Sequence, residues 1–517
     1  MQNNKFKKLI NSLEIIWKNN QHNPQNLDII ENNINNYLPK ILIKDIKNLK
    51  GNNQPEIQFI THYLNSNNLF FISELEVFII YDQIHYSIYN EDDIQYKILT
   101  TLNHYPQLRD KKHDMTEIII NKIKQQSILT TIPESTTIQN VISLLYPTFF
   151  KTKQETKYFL TVIGDNILKK NDALFHFISP NAKNFLIELS TNINSFFKDT
   201  NTMQTFKFKY HEHDFNYSRL INTNEIIKNS NHWSDNIKKF ILDYIVVAAH
   251  YSHRYKSSEI LLEREECQIL APYTLFLKNN TLVNIIKTFL ENYISPIDSS
   301  ACFTTLHNAI SWKNIFFIWK KYLKNNYLPN IAFSHIVKTN LIKLLTYDDD
   351  DDSFLNITSQ YLPSINCFIN FWNKYIVSDE TEFGLELSEL LLLYKQTENK
   401  AHTNIVEQTL LELINHFYPN IIIENEKIII NVRCTLFDKK LYINEFLNII
   451  KNIYKTENIE TDIAIYKLYA DYMNFNHETN KEPIIVSSKQ YFENYINIVL
   501  DKYIENDITI NNKWIYE

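Results

Sequence analysis

The stretch "SWKNIFFIWKKYL", Ser311 to Leu323, sets Trp312, Ile315, Phe316, Trp319, Tyr322 and Leu323 at intervals of three and four residues, with Lys313, Lys320 and Lys321 off that stripe. Apolar residues at this period share one side of an α-helix, whereas one face of a strand needs a period of two. The same stripe recurs in "NVISLLYPTFF" (140–150), "AKNFLIELSTNINSFF" (182–197), "NIKKFILDYIVVAAHY" (236–251), "NIIKTFLENYI" (284–294), "ELSELLLLYKQ" (386–396) and "VEQTLLELINHFY" (406–418). Pro133, Glu134 and Ser135 precede the first of these, and Thr136 to Gln139 fits a capping box at its start.

Three segments break the helical period. "NLFFISELEVFIIYDQIHYSIYNE" (68–91) is rich in β-branched and aromatic residues and breaks at Tyr81-Asp82-Gln83, which predicts a hairpin or small meander. "NIIIENEKIIINVRC" (420–434) predicts a hairpin turning at Glu424-Asn425-Glu426. "TFKFKYHEHDFNYSRL" (205–220) predicts a third β piece. The expected class is mainly α: a multi-domain helical assembly with small β-hairpins near 68–91, 205–220 and 420–434. No internal repeat of fixed period is found. Boundaries are expected near 130 and at the aspartate run 348–352, whose charges repel and stay solvated. They divide the chain into 1–130, 131–346, an acidic loop at 347–352, and 353–517.

Composition excludes several functions. The chain of 517 residues has 44% hydrophobic and 21% charged residues, enough to bury sizeable cores. Its net charge is −7, so bulk charge does not announce a nucleic-acid binder, although a basic patch remains open to it. It holds three glycines, Gly51, Gly164 and Gly384, against an ordinary usage of about 7%. Neither a P-loop nor a GxGxxG turn can be built, and no GxSxG or HExxH occurs. Cys267, Cys302, Cys367 and Cys434 are far apart and form no CxxC pair, which argues against a zinc ribbon or disulfide framework and for a reducing compartment. Cys267 stands among carboxylates that would raise its pKa, a poor setting for a nucleophile.

In "MQNNKFKKLINSLEIIWKNN", Phe6, Leu9, Ile10, Leu13, Ile16 and Trp17 fall at helical spacing among lysines, without the continuous apolar run of a secretory signal. A membrane-surface helix fits this stripe, but the expectation is a helix packed on the rest of the fold. Heavy use of Asn, Ile, Lys and Tyr reflects an AT-rich genome.

Several phrases carry a resemblance: "IPESTTIQ" (132–139), "KYFLTVIGDNILKK" (157–170), the 205–220 stretch, "WKNIFFIWKKYL", "LPNIAFS" (328–334), "DSFLNITSQYLP" (352–363), "FINFW" (368–372) and "SKQYFENYI" (488–496). Through them the chain resembles, over roughly residues 70–517, an uncharacterised protein family of giant DNA viruses, mimivirus-like. The resemblance implies a product of the infected-cell cytoplasm, in the viral factory beside the replication, transcription and translation machinery. It brings no catalytic residue and no cofactor.

His211-Glu212-His213-Asp214 puts four metal-ligand types in a row, and His250 and His253 follow on a probable helix with Asp243 before them. If 205–219 is a strand, alternation sends Glu212 and Asp214 to one face. The other face carries Lys207, Lys209, His211, His213, Phe215, Tyr217 and Arg219. Cations there oppose a metal ion and favour phosphate and stacked bases. Further basic residues occur in "FFKTKQETKYF" (149–159), at Lys169-Lys170, and at Arg254 and Lys256. If His211 and His213 contributed charge, binding would weaken as pH rises through their titration. "YLPKILI" supplies Tyr37, Leu42 and Ile43, the Tyr-x4-Leu-hydrophobic spacing by which initiation scaffolds of the 4G class hold a cap-binding protein.

The expectation is therefore a non-enzymatic helical scaffold in a viral information-processing complex. Its sharpest form is a translation-initiation scaffold joining RNA, a cap-binding protein and a helicase, with no cofactor. The alternatives are an accessory factor of viral DNA replication or transcription, and a metal-dependent hydrolase or nuclease on His211, His213, His250 and His253.

Overall fold

The computed structural model describes residues 2–21, 23–43, 54–170, 173–198, 200–224, 230–297, 309–397, 405–479, 486–506 and 508–517. The protein is mainly α with small sheets, and it forms two compact units: residues 1–209 with 213–279, and residues 210–212 with 280–517. The boundary near 279 differs from those expected at 130 and 347.

In the first unit, α1 (Gln2–Asn19) and α2 (Pro24–Asn32) come first. A π-turn, Asn33–Tyr37, carries α2 on into a short helical run at 38–43. Pro39 explains that turn. Proline lacks an N–H and its ring crowds the carbonyl one turn back, so the chain widens, and Leu38 N–H reaches Asn33 O instead. The helix thus runs through Pro39 rather than starting near it. None of residues 10–21 is buried, so this part of α1 does not make the packing on the fold expected of it.

Next come α3 (Gln54–Ser66), β1 (Leu69–Ile72), β2 (Val77–Tyr81), β3 (Tyr86–Tyr89), α4 (Glu91–Leu102), α5 (Lys112–Ile123), α6 (Ser135–Leu145) and α7 (Lys153–Ile167). Segment 68–91 is the antiparallel meander the sequence predicts, with Phe71 opposite Phe78 and Tyr81 opposite Tyr86. Alternation along β2 makes it a partition. Phe78 joins Phe59, Tyr63, Ile94, Met115 and Ile119 in one core, while Ile79 and Tyr81 join α6 and α7 in another. The Tyr81 hydroxyl also accepts the Glu134 N–H at 2.9 Å and lies 2.8 Å from Thr137 Oγ1, which donates to Ile84 O at 2.7 Å. These bonds fasten the meander to the start of α6, so no domain boundary falls at 130. They also displace the expected capping box at Thr136: α6 starts at Ser135. A capping box does form at Thr152 and Glu155, opening α7.

β4 (Phe175–Ile178) and α8 (Lys183–Phe196) follow, then α9 (Ser230–Tyr255), which packs on both α7 and α8, and α10 (Ser258–Leu262), which packs on α7. On α9, Ile245 to Ala249 are fully buried. Gly164 on α7 meets Ala248 so closely that a Cβ there would stand 2.0 Å from the Ala248 carbonyl oxygen. Next to it, buried Asp165 accepts from Ser252 Oγ at 2.6 Å and from the Ser258 N–H at 2.7 Å. Lys170 Nζ donates to Ser252 Oγ at 2.8 Å. Thus "GDNILKK" is the fastening between α7, α9 and α10. α9 kinks at Phe240, with φ −116° and ψ 20°. Just beyond the kink, Asp243 lies 2.7 Å from His85 Nδ1 and accepts the Tyr86 N–H at 2.8 Å.

The 205–220 stretch is not a hairpin. β5 (Phe206–Lys207) and β6 (Ser218–Ile221) flank β4, each parallel to it. Between them the chain turns, with Glu212 in the left-handed region at φ 55°, and makes a 3-10 turn at Phe215–Tyr217.

In the second unit, α11 (Leu282–Tyr293) packs on α12 (Trp312–Asn325). β7 (Ala309–Ser311), β8 (Tyr347–Asp348) and β9 (Ser353–Leu355) form a sheet in the order β7-β9-β8. The buried face of α12 is Ile315, Phe317, Ile318, Trp319, Tyr322 and Leu323, with Trp312 and Phe316 at its margin. The aspartate run is the tip of the β8–β9 hairpin and not a linker between domains. It is held by Tyr347 Oη donating to Asp352 at 2.7 Å and by the Lys338–Asp352 ion pair at 2.9 Å. Helices α13 (Leu362–Tyr375), α14 (Leu387–Thr397) and α15 (Glu407–Phe417) follow. The predicted hairpin forms between Ile423–Glu424 and Ile428–Ile429, turning with positive φ at Asn425 and Glu426. Val432–Cys434 leaves it to pair with Ile376–Ser378. A last core gathers Phe446, Leu468, Tyr472, Phe492, Ile496 and Ile515.

Candidate nucleic-acid interface

The parallel sheet sorts the residues of the 205–219 stretch. His176 in β4 stands opposite both Phe206 and Arg219, and Phe177 stands opposite both Lys207 and Leu220. Neighbours in register project to the same side of a sheet. Lys207 therefore shares a face with Phe177, and Arg219 shares the other with His176. Odd-numbered residues stay on one face only through an unbroken strand, and the turn at 208–217 shifts the parity. The single basic face is not formed.

Arg219 is 2% exposed. Its Nε and Nη2 donate to the two carboxylate oxygens of Glu259 at 2.7 and 2.6 Å, and Nη1 donates to the carbonyls of Asn216 and Ser218. This forked pair is an internal tie, and its burial keeps the guanidinium from a phosphate at the surface. Burial alone would raise the Glu259 pKa, but the Arg219 hydrogen bond and charge bring it below the ordinary value. His176 on the same face is wholly buried, and loss of hydration lowers it to about 3, so it is neutral.

On the opposite face, Lys207 Nζ lies 5.4 Å from the Phe175 ring centre and donates to Gln204 O at 3.2 Å. The His213 ring sets its edge against Phe175 and Phe177, at 4.8 and 5.2 Å between centres. Lys209, His211 and Tyr217 are exposed, and Phe215 is half-buried. Tyr210 packs its ring on Phe333 at 5.5 Å. Lys207, Phe175, Phe177 and His213 make a small basic-aromatic patch.

The runner-up metal centre is not assembled. Among the described residues no three His, Cys, Asp or Glu side chains stand together to hold a metal ion. His250 is partly buried on α9, and burial, Arg254 and His253 hold it below the ordinary histidine value; His253 is exposed. Cys302 lies outside the described residues. Burial and then Glu266 raise the Cys267 thiol, as the acidic neighbours suggested. Among the described residues no helix is long and apolar enough to cross a membrane. Tyr37, Leu42 and Ile43 are all exposed, Tyr37 to 66%.

A second basic site lies on α12, from the stretch that fixed the helical reading. Lys320, Lys321 and Lys324 crown an open cleft of about 300 Å³, with Phe317, Glu412, Asn415 and His416 along its other walls. Lys320 Nζ sits 4.9 Å over the Phe316 ring and Lys321 Nζ 4.3 Å over Tyr361. Loss of hydration pushes both ammonium groups below the ordinary lysine value. Lys324 is paired with Glu412, whereas among the described residues no carboxylate lies within ion-pair distance of Lys320 or Lys321. His416 is locked as the neutral ring. Its Nε2 stands 2.8 Å from Lys313 O, which only accepts, so Nε2 carries the proton and Nδ1 accepts from Lys320 Nζ at 3.1 Å. Burial lowers its pKa to about 4. Lys313 is spent on the carbonyl of Phe417, closing the end of α15.

Two ammonium groups short of hydration and of carboxylates, each against a ring, suit a phosphate chain with stacked bases. The signal is present in the sequence as three lysines within two turns of a helix that holds no acid. Periodicity alone hides it, because lysines off an apolar stripe read as its solvated side. No family model matches the chain, and neither a curated protein nor a solved structure matches it significantly.

Proposed function

We propose that this chain is a non-enzymatic helical scaffold in an information-processing complex of a giant DNA virus, and that it binds single-stranded nucleic acid, RNA foremost, at the α12 cleft. The observation that carries this reading is the pair Lys320 and Lys321, desolvated, over aromatic rings, and, among the described residues, with no carboxylate within ion-pair distance. A phosphate run restores the solvation these ammonium groups have lost, which gives the binding a reason in energy as well as in geometry. Lys207 and the exposed Lys209 form a secondary contact. The sharpest form of the proposal remains a translation-initiation scaffold, with Tyr37, Leu42 and Ile43 as the anchors offered to a cap-binding protein, and their exposure supports that role.

Fluorescence anisotropy with a labelled single-stranded RNA, repeated across salt concentrations, tests the cleft. K320E/K321E weakens binding by at least about tenfold near 0.1 M salt, and lowers the slope of log affinity against log salt by roughly 1.4, about 0.7 for each phosphate no longer neutralised. Unchanged affinity and slope in a folded K320E/K321E chain overturn the assignment. Tighter binding to DNA of the same sequence, with polymerase subunits recovered from infected cells, moves the protein to replication or transcription.

A further inference from the structure

We infer that α1 is an amphipathic anchor that lies on the surface of an anionic phospholipid bilayer. An apolar stripe such as the one on this helix is ordinarily consumed by packing on the fold, and over residues 10–21 it is not. On the stripe, Ile10, Ile16 and Trp17 are exposed, Trp17 to 41%, and Leu13 is only half-buried. At 100° per residue, positions 6, 9, 10, 13, 16 and 17 fall within an arc of about 120°, a continuous apolar side and not a scatter of single residues.

Charge complementarity selects the occupant. The helix carries Lys5, Lys7, Lys8 and Lys18 against Glu14 alone, a net charge of +3 (four lysines less one glutamate) in a chain whose net charge is −7. By position, Lys5 falls beside the apolar arc and Lys7 and Lys18 fall across from it. Lysines at such positions are the cationic side that an interfacial helix offers to headgroup phosphates when its apolar side enters the acyl boundary. Tryptophan at the edge of the stripe suits the same interface. A protein groove would take the apolar side but gives no reason for the lysine excess. An acidic bilayer surface accounts for both. The contact is peripheral, since the helix is amphipathic and does not span.

Co-sedimentation of the full chain with vesicles tests the anchor. With phosphatidylcholine vesicles containing about one-third phosphatidylserine, at roughly 0.1 M salt, the chain pellets; with pure phosphatidylcholine it stays in the supernatant. L13E/W17E abolishes pelleting. Replacing Lys7, Lys8 and Lys18 by Gln weakens it by roughly fivefold per lysine. Because α1 contributes nothing to the described cores, both variants keep the wild-type urea midpoint, which separates loss of binding from loss of fold. K320E/K321E still pellets, which keeps the anchor distinct from the α12 cleft. Three results overturn the inference: no pelleting of the wild-type chain on anionic vesicles, equal pelleting on neutral ones, or pelleting abolished by K320E/K321E. A fourth does so by naming another occupant: a wild-type dimer in light scattering that L13E/W17E makes monomeric, without any vesicle binding, assigns the stripe to a second copy of the chain.

Discussion

Gly164 and Arg219 show how single residues are fixed by neighbours far away in the chain. Adding a methyl group at position 164 puts carbon 2.0 Å from the Ala248 carbonyl oxygen and 2.9 Å from Ser252 Cβ, so α7 and α9 must separate. Overpacking of this kind costs about 1–3 kcal/mol, and Gly164→Ala lowers the urea midpoint of the first unit accordingly. Gly384 has a second reason to be glycine: its φ is 137°, and a Cβ would meet Ile428 Cγ2 at 2.5 Å. The scarcity of glycine is plain in the sequence, and it speaks against phosphate loops. Which glycines matter is not plain there, because the neighbours that require them, Ala248 and Ile428, are remote in sequence. Arg219 is the opposite lesson, a charged residue that strand alternation assigns to the surface. Arg219→Met removes the forked pair and leaves the partly buried Glu259 with Lys278 alone, at 3.7 Å, which destabilises by about 1.5–3 kcal/mol in chemical denaturation. At temperatures where the variant is folded, RNA affinity is unchanged. Loss of affinity in that folded variant would return Arg219 to the interface.

Helices are the most legible elements, since each apolar stripe quoted from the sequence sits on a helix of the structure. Their ends are less so. The motif Thr136 to Gln139 satisfies the capping rule in letters, yet α6 opens at Ser135 under the Tyr81 hydroxyl, a bond from another element. The box that forms is Thr152 with Glu155, where the Thr152 hydroxyl accepts the Glu155 N–H at 3.1 Å and the carboxylate accepts the Thr152 N–H at 2.9 Å. Thr152→Ala therefore costs about 1 kcal/mol. Thr136→Ala, at an exposed position, stays within roughly 0.5 kcal/mol. Equal effects in equilibrium unfolding would mean that the box at Thr152 contributes nothing. Short strands are the least legible. β5 is two residues long, and its partners lie in β4, so local alternation has no means of reporting a parallel register or the parity change across 208–217. That parity change is what takes Arg219 out of the expected basic face and leaves α12 with the stronger cationic site.

For the whole molecule, the class is readable from periodicity, but the division into units is not. β2 belongs to two cores at once, and a boundary read near 130 takes no account of which core a strand serves. The aspartate run, likewise, is conspicuous in sequence and only a hairpin tip in the fold. At this scale pH bears on stability and on binding at the cleft. His176 and His416 have folded values of about 3 and about 4 against 6.5 for the free side chain. Above pH 6.5 both are neutral whether the chain is folded or not, and the stability of the neutral packing is fully present. As pH falls below 6.5 the unfolded chain takes up protons that the folded chain refuses, so stability declines progressively toward pH 4. His416→Gln removes one such site, so the urea midpoint of the second unit falls less between pH 6.5 and 5 than in the wild-type chain. An identical decline would refute a neutral buried His416. The same locked ring predicts how binding responds. At the α12 cleft the charge comes from lysines and His416 stays neutral, so RNA affinity is level between pH 6 and 7.5. A larger loss of affinity in K320E/K321E than in K207E/K209E, with the residual binding abolished when all four are replaced, would place the main binding surface at the cleft and the weaker one beside Phe175. A steep wild-type pH profile would refute a cleft charged by lysines alone.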